Sequence, residues 1–229
     1  MLPAIAAARI GVDFAESDLR LPIFDASGHL LRRVTAASAF GPLDAPRLEQ
    51  GRVDFFAADA ETAPVATLLF DQAVYGRATE QLTGGGAITF TSGAGTLSGQ
   101  GYECRPGAGW LTLQRQVKFA SGDIVATGDQ ADVHFDPQGR KGEDMVRRVR
   151  LTGRVVVVPA AAAKVPFERV ESTEARYEAG EQKIYVKTPV TVWKNGQRGV
   201  MELASGFWEL SLSPLPAKSA ESKAVLRNE

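Results

Sequence analysis

His29 and His134 are the side chains best suited to move a proton near neutral pH. His29 falls in a turn-forming stretch. His134 stands between Val133 and Phe135, so strand alternation directs it away from the apolar side. Neither has an acid and a nucleophile spaced to form a relay. No His-x-x-x-His pair offers itself to a metal. Gly84-Gly85-Gly86 and Gly93-Ala94-Gly95 have the glycine content of a phosphate loop. No Lys-Ser or Lys-Thr follows either one and no helix is expected after them, so both are expected to be turns. Asp129 and Asp132 are close in sequence, but nothing places them in a cleft. Cys104 is the single cysteine, which excludes an intramolecular disulfide and a cysteine-rich zinc site; on a strand, it is expected to be inert. The chain is therefore expected to be no enzyme and to carry no metal and no cofactor.

The remaining chemistry is cationic. Residues 137–154 hold six basic side chains (Arg140, Lys141, Arg147, Arg148, Arg150 and Arg154) against two acidic ones. Arg148, Arg150, Thr152 and Arg154 alternate with Val149 and Leu151. That places a cationic row on one face of a strand whose other face is apolar. Such a row is either a solvated outer face or a contact for an anionic group, such as a lipid phosphate, at the rim of an apolar groove. Arg148, Arg150 and Arg154 are the candidates for that contact. Trp110, Trp193 and Trp208 are expected in the core or at sheet edges.

The elements that would position these residues are strands. The stretch Gly95 to Phe135 shows the pattern best. Leu97, Gly99, Gly101 and Tyr102 lead to a Pro/Gly turn over Arg105–Gly109. Leu111, Leu113, Val117 and Phe119 then share one face, with Thr112, Gln114, Gln116 and Lys118 on the other. Only Arg115 interrupts the apolar face. The pattern restarts at Val125. Four segments share this hairpin grammar: Val34–Phe55, Leu97–Phe119, Val125–Val157 and Glu171–Trp193. Asp25–Gly28 reads as the turn of an earlier hairpin, and Asn195-Gly196 as that of a later one. Arg77–Leu82 is expected to be a further strand and Gly153 a bulge. The run Val155–Val158 suits a strand buried on both faces. Almost no amphipathic helical period occurs between residues 20 and 212. The expected fold class is all-β: an antiparallel, twisted and partly open jelly roll built from repeated hairpins.

At 229 residues, 44% hydrophobic and with a net charge of -1, the chain can bury a sizeable core and has no global pull toward nucleic acid. Residues 1–19 are expected to form an N-terminal arm, as short helix or coil. Its apolar part is shorter than the roughly 20 residues a membrane span needs, and no basic region precedes it as in a signal peptide. Residues 20–212 are expected to be one β domain. Residues 213–229, rich in Pro, Ser and charge, are expected to be a disordered tail.

Four stretches carry a resemblance: PIFDASGHLLRRVTAASA, GTLSGQGYECRPGAGWLTLQRQVKF, ATGDQADVHFDPQGRKGEDMVRRVRLTGRVVVV and ESTEARYEAGEQKIYVKTPVTVW. From Leu21 to Leu212 the chain resembles the OstA-like lipopolysaccharide-transport family, LptC-like members most closely, with LptA-like proteins as the soluble relatives. Gly128, Ala131, Val133 and Phe135, then Leu151, Gly153, Val155 and Val157, match that family's repeat. The resemblance implies a periplasmic jelly roll whose apolar groove holds the acyl chains of lipid A. Implied groove residues are Leu111, Leu113, Val117, Phe119, Val133, Phe135, Val155, Val157, Ile184 and Val186. Implied partners are lipopolysaccharide, other jelly-roll components joined through edge strands, and an inner-membrane ABC transporter. LptC-like members usually carry an N-terminal membrane anchor; here it would have to come from a segment outside this chain. The alternative from another class is a structural or self-assembling β protein with a filled core and no ligand. A carbohydrate-acting or carbohydrate-binding jelly roll would need exposed aromatics and paired acids along a cleft, and no convincing pair is seen.

Overall fold

Apolar and polar residues that alternate every second position become strands along almost the whole chain. The computed structural model describes residues 13–57, 63–139, 144–160, 163, 165–202 and 206–210. The first five strands are β1 (Asp13–Phe24), β2 (Leu30–Pro42), β3 (Arg47–Phe55), β4 (Ala66–Gly76) and β5 (Gln81–Ser92). The next five are β6 (Gly95–Arg105), β7 (Trp110–Ser121), β8 (Ile124–Gly128), β9 (Gln130–Phe135) and β10 (Val146–Pro159). The last are β11 (Arg169–Glu178), β12 (Lys183–Lys187), β13 (Val190–Lys194), β14 (Gln197–Met201) and β15 (Phe207–Leu210). All fifteen join one sheet whose recorded pairings are antiparallel, with most neighbours consecutive in the chain. Among the described residues the helical content is a single 3-10 turn, Pro106–Ala108, at the tip of the β6–β7 hairpin. The fold is thus a twisted, partly open all-β jelly roll built from hairpins.

Most strands break step once, and the breaks line up. In β2 the inward row runs through Val34 and Ala36 and resumes at Ala39. In β3 it passes from Leu48 to Gly51, and in β4 from Phe70 to Ala73. Gln50 and Gln116 take positive φ at this level, 46° and 53°. Register shifts fall at Phe70/Val74, Gly84/Ala87, Ser98/Gln100 and Thr152/Val155. A bulge adds a residue and bends its strand. Repeated at one level across the sheet, it folds the long strands over the same line. The chain is interrupted there in two places. β8 and β9 run along separate halves of both β7 and β10, and β12 and β13 along separate halves of β11.

The fold line creates two half-sheets whose apolar sides face one another. One register row crosses the first half-sheet through Val34, Val53, Leu68, Phe90, Leu97, Phe119, Ala126, Val157, Val170 and Val192. Its counterpart in the second runs through Tyr75, Leu82, Cys104, Leu111, Val133, Val149, Tyr177, Ile184 and Leu210. Phe135 of the second half-sheet meets Phe55 and Phe90 of the first at ring distances of 5.4 and 5.5 Å. Phe119 meets Tyr177 across the same gap at 5.1 Å. Among the described residues β1 pairs only with β2, β14 only with β13 and β15 only with β12. The sheet therefore does not close into a barrel.

Several local expectations change. Strand β1 begins at Asp13, so the second part of the expected arm over 1–19 is paired strand; residues 1–12, like the tail 213–229, lie outside the described residues. Gly84–Gly86 is not a turn but the fold line of β5, and the turn falls instead at Arg77–Glu80, where a strand was expected. The reason is close approach. A Cβ on Gly84 would lie 2.4 Å from the Gln72 carbonyl oxygen and 2.6 Å from the Tyr102 hydroxyl. That hydroxyl donates to the same carbonyl at 2.8 Å. Val155 and Val157 enter the core but Val156 and Val158 are half-buried, so the valine run has one inward face. Gly153 is a bulge, with φ of +94°, a conformation that other L-residues rarely adopt.

Candidate functional site

The structure brings all ten expected groove residues to one interior. Val117, Phe119, Val155 and Val157 lie on the first half-sheet. Leu111, Leu113, Val133, Phe135, Ile184 and Val186 lie on the second. Each is at most 5% exposed, so in this conformation the two walls touch and the space between them is filled by side chains. Arg115, the interruption in the β7 pattern, sits at the fold line, where it turns outward and donates to the Gly85 carbonyl at 3.4 Å.

The mouth of the cleft, opposite the fold line, differs from one end to the other. Toward β14 and β15 it holds a recess of about 430 Å3. Its lining comes from the β7–β8 turn (Ser121, Gly122, Asp123) and the β11–β12 turn (Glu181, Gln182), with Tyr177 beneath. Toward β1 the mouth is tied by Arg32. This residue shares its inward face with Val34 and Ala36 and is 5% exposed. Its Nη2 donates to Glu80 Oε2 at 2.8 Å, and its Nη1 makes a long contact, 3.5 Å, with the Pro106 carbonyl oxygen. Glu80 and Pro106 belong to turns of the opposite half-sheet, so this one side chain spans the cleft.

The expected anionic contacts are not at this mouth. Arg148, Arg150 and Arg154 face outward, each against a carboxylate: Glu178 at 2.6 Å, Glu174 at 2.9 Å and Asp129 at 3.3 Å. The Arg154 side chain is 91% exposed. The row is thus the neutralised outer face of β10, across the sheet from the apolar interior. The cationic row was legible by alternation, but its acidic partners come from β11 and from the β8–β9 junction, which alternation within one strand cannot reveal. Arg140 and Lys141 lie outside the described residues. Arg32 is the group that sequence reading passed over. The available signal was a charge in phase with the apolar positions Val34 and Ala36.

The groups that could carry acid–base or thiol chemistry do not come together: the histidines and Asp132 lie on a turn or the outer face, while Cys104 and Tyr102 are buried in the second half-sheet. His29 contacts Asp25 at 3.3 Å in the β1–β2 turn, and His134 faces outward on β9. Asp132 accepts from the Thr112 hydroxyl at 2.8 Å. Burial pushes the Cys104 thiol up, with Arg32 nearby offsetting part of the effect. Burial likewise raises the Tyr102 hydroxyl. Among the described residues, no group of three or more His, Cys, Asp or Glu side chains is arranged to hold a metal ion. No known protein-family model and no curated protein matches the chain.

Proposed function

We propose that the chain is a lipopolysaccharide-binding component of a periplasmic transport bridge, an OstA-like jelly roll closest to LptC-like proteins that holds acyl chains between its half-sheets. The observation that carries this reading is the folded sheet: two facing apolar rows, one from β2 to β13 and the other from β4 to β15, cross the sheet, and among the described residues no strand pairing closes the roll. An acyl chain laid along such rows replaces one apolar neighbour by another as the walls part. Burying each methylene is worth about 0.8 kcal/mol, so affinity needs few polar contacts. The edges, β1 at one end and β14 and β15 at the other, offer unpaired backbone to further jelly rolls. An inner-membrane ABC transporter would be the partner at the start of such a bridge.

A second reading is favoured by the filled interior. Phe55, Phe90 and Phe135 are in mutual ring contact, as in a structural or self-assembling β protein with no ligand. Photo-crosslinking residues at Phe119 and Phe135 separate the two. The transport reading expects capture of lipopolysaccharide in cells and co-purifying lipid in a native extract. Crosslinks to the chain's own segments alone, together with concentration-dependent assembly and no lipid, would establish the filled-core reading instead.

A further inference from the structure

We propose that Arg32 is a receptor for the anionic head of an amphiphile, a phosphate or carboxylate group, whose apolar chain occupies the cleft beside it. The proposal rests on the lipid-binding reading above and assigns the polar end of the ligand. Arg32 is the inward-facing arginine of β2, next to Val34 on one side of the mouth. Its guanidinium is used incompletely. The edge formed by Nε and Nη2 can hold two oxygens of one anion side by side. Glu80 supplies one oxygen to Nη2, while Nε is buried and has no hydrogen-bond partner among the described residues. A buried donor left unmade costs more than a typical hydrogen bond returns.

An anion with two free oxygens would engage both nitrogens and displace Glu80. That displacement is sterically simple, because Glu80 is 42% exposed and sits on the β4–β5 turn. Gly107 faces the pair closely: a Cβ there would lie 2.7 Å from Glu80 Oε2 and 3.3 Å from Arg32 Nη2. The approach to the guanidinium is therefore narrow, suited to a single head group. A head placed at Arg32 sets its chain toward Val34, Phe55 and the rows beyond.

Calorimetric titration of the full chain with dodecyl phosphate, dodecanol and inorganic phosphate tests the assignment. The expected result is that dodecyl phosphate binds about tenfold tighter than dodecanol, the scale of one charge-assisted bidentate contact. Inorganic phosphate alone binds more weakly than either amphiphile. Glu80→Gln, which leaves Arg32 in place, is expected to raise the ratio of dodecyl phosphate to dodecanol affinity about tenfold by weakening the internal competitor. Arg32→Lys is expected to abolish the preference, since an ammonium cannot present the two-nitrogen edge. Equal affinity for the two amphiphiles in the unaltered chain and in Glu80→Gln would overturn the role of Arg32 and leave the lipid reading standing. Binding of inorganic phosphate as tight as that of dodecyl phosphate would overturn the amphiphile and make the ligand a free anion. Binding of neither amphiphile would overturn the lipid reading itself, and this proposal with it.

Discussion

Glu174 lies almost fully buried on the outer face, where Arg150 reaches it at 2.9 and 3.2 Å and Arg176 at 2.7 Å. Burial alone would raise its carboxyl. Hydrogen bonds from Arg150 and Arg176 outweigh that and hold the group below the usual carboxylate range. A carboxyl held down in the folded chain contributes stability that is complete above its unfolded pKa, near 4.3, and is lost as pH falls through the lower folded value. Glu174→Gln is therefore expected to cost about 1–2 kcal/mol at neutral pH. The difference from the unaltered chain should shrink as pH falls below about 4. Urea denaturation at neutral and acidic pH reads both. The outer arginines on β10 thus hold strands together, and the interior arginine is left for the cleft. Single residues of this kind were the hardest to place from sequence. Arg32 shares the phase of Val34 and Ala36 on β2, whereas Arg150 alternates with Val149 and Leu151 on β10, and the partners of both come from other strands or turns.

At the scale of the strand, much was legible. Period-two alternation located β2, β3, β6, β7 and β10, and turn-forming residues gave the turns at Asp25–Gly28 and Asn195-Gly196. What alternation hides is the fold line, because a one-residue change of phase looks like noise within a single strand. It becomes a structural feature only when the breaks in β2, β3, β4, β6 and β10 are brought level by pairing. The triple glycine has a cause outside its own strand: Tyr102, the register partner of Gly84 on the neighbouring β6, sets its ring against Gly84, and local turn chemistry plays no part. The line can be tested within β7. Gln116 sits at φ of 53°, where a side chain costs about 1 kcal/mol or more relative to glycine. Gln114, two residues earlier, has ordinary strand backbone. Gln116→Gly is expected to leave stability unchanged or raise it by up to about 1 kcal/mol. Gln114→Gly should lower it by about 0.5–1 kcal/mol, the usual cost in a strand. Thermal unfolding of the pair reports the contrast directly.

The whole molecule follows from nearest-neighbour pairing. Chain neighbours are also sheet neighbours for most of the sequence, whereas the contacts across the cleft, such as Phe55 with Phe135 and Phe119 with Tyr177, join residues far apart in the chain. The same arrangement separates two dimensions that closed rolls couple. The width of the cleft depends on how far each strand runs beyond its bend, whereas its length depends only on how many hairpins stand side by side. Hairpin number therefore acts as a length setting. Duplicating β6–β7, Gly95–Ser121, would repeat the Leu97 and Phe119 positions in the first row and Cys104 and Leu111 in the second. Two added strands at about 4.8 Å each should extend the particle by about 10 Å with the cross-section unchanged. Small-angle scattering distinguishes this from a thicker particle, which would mean that the added hairpin had packed on the outside. A family of such rolls would span different lengths from one repeated unit, with no change to the walls of the cleft.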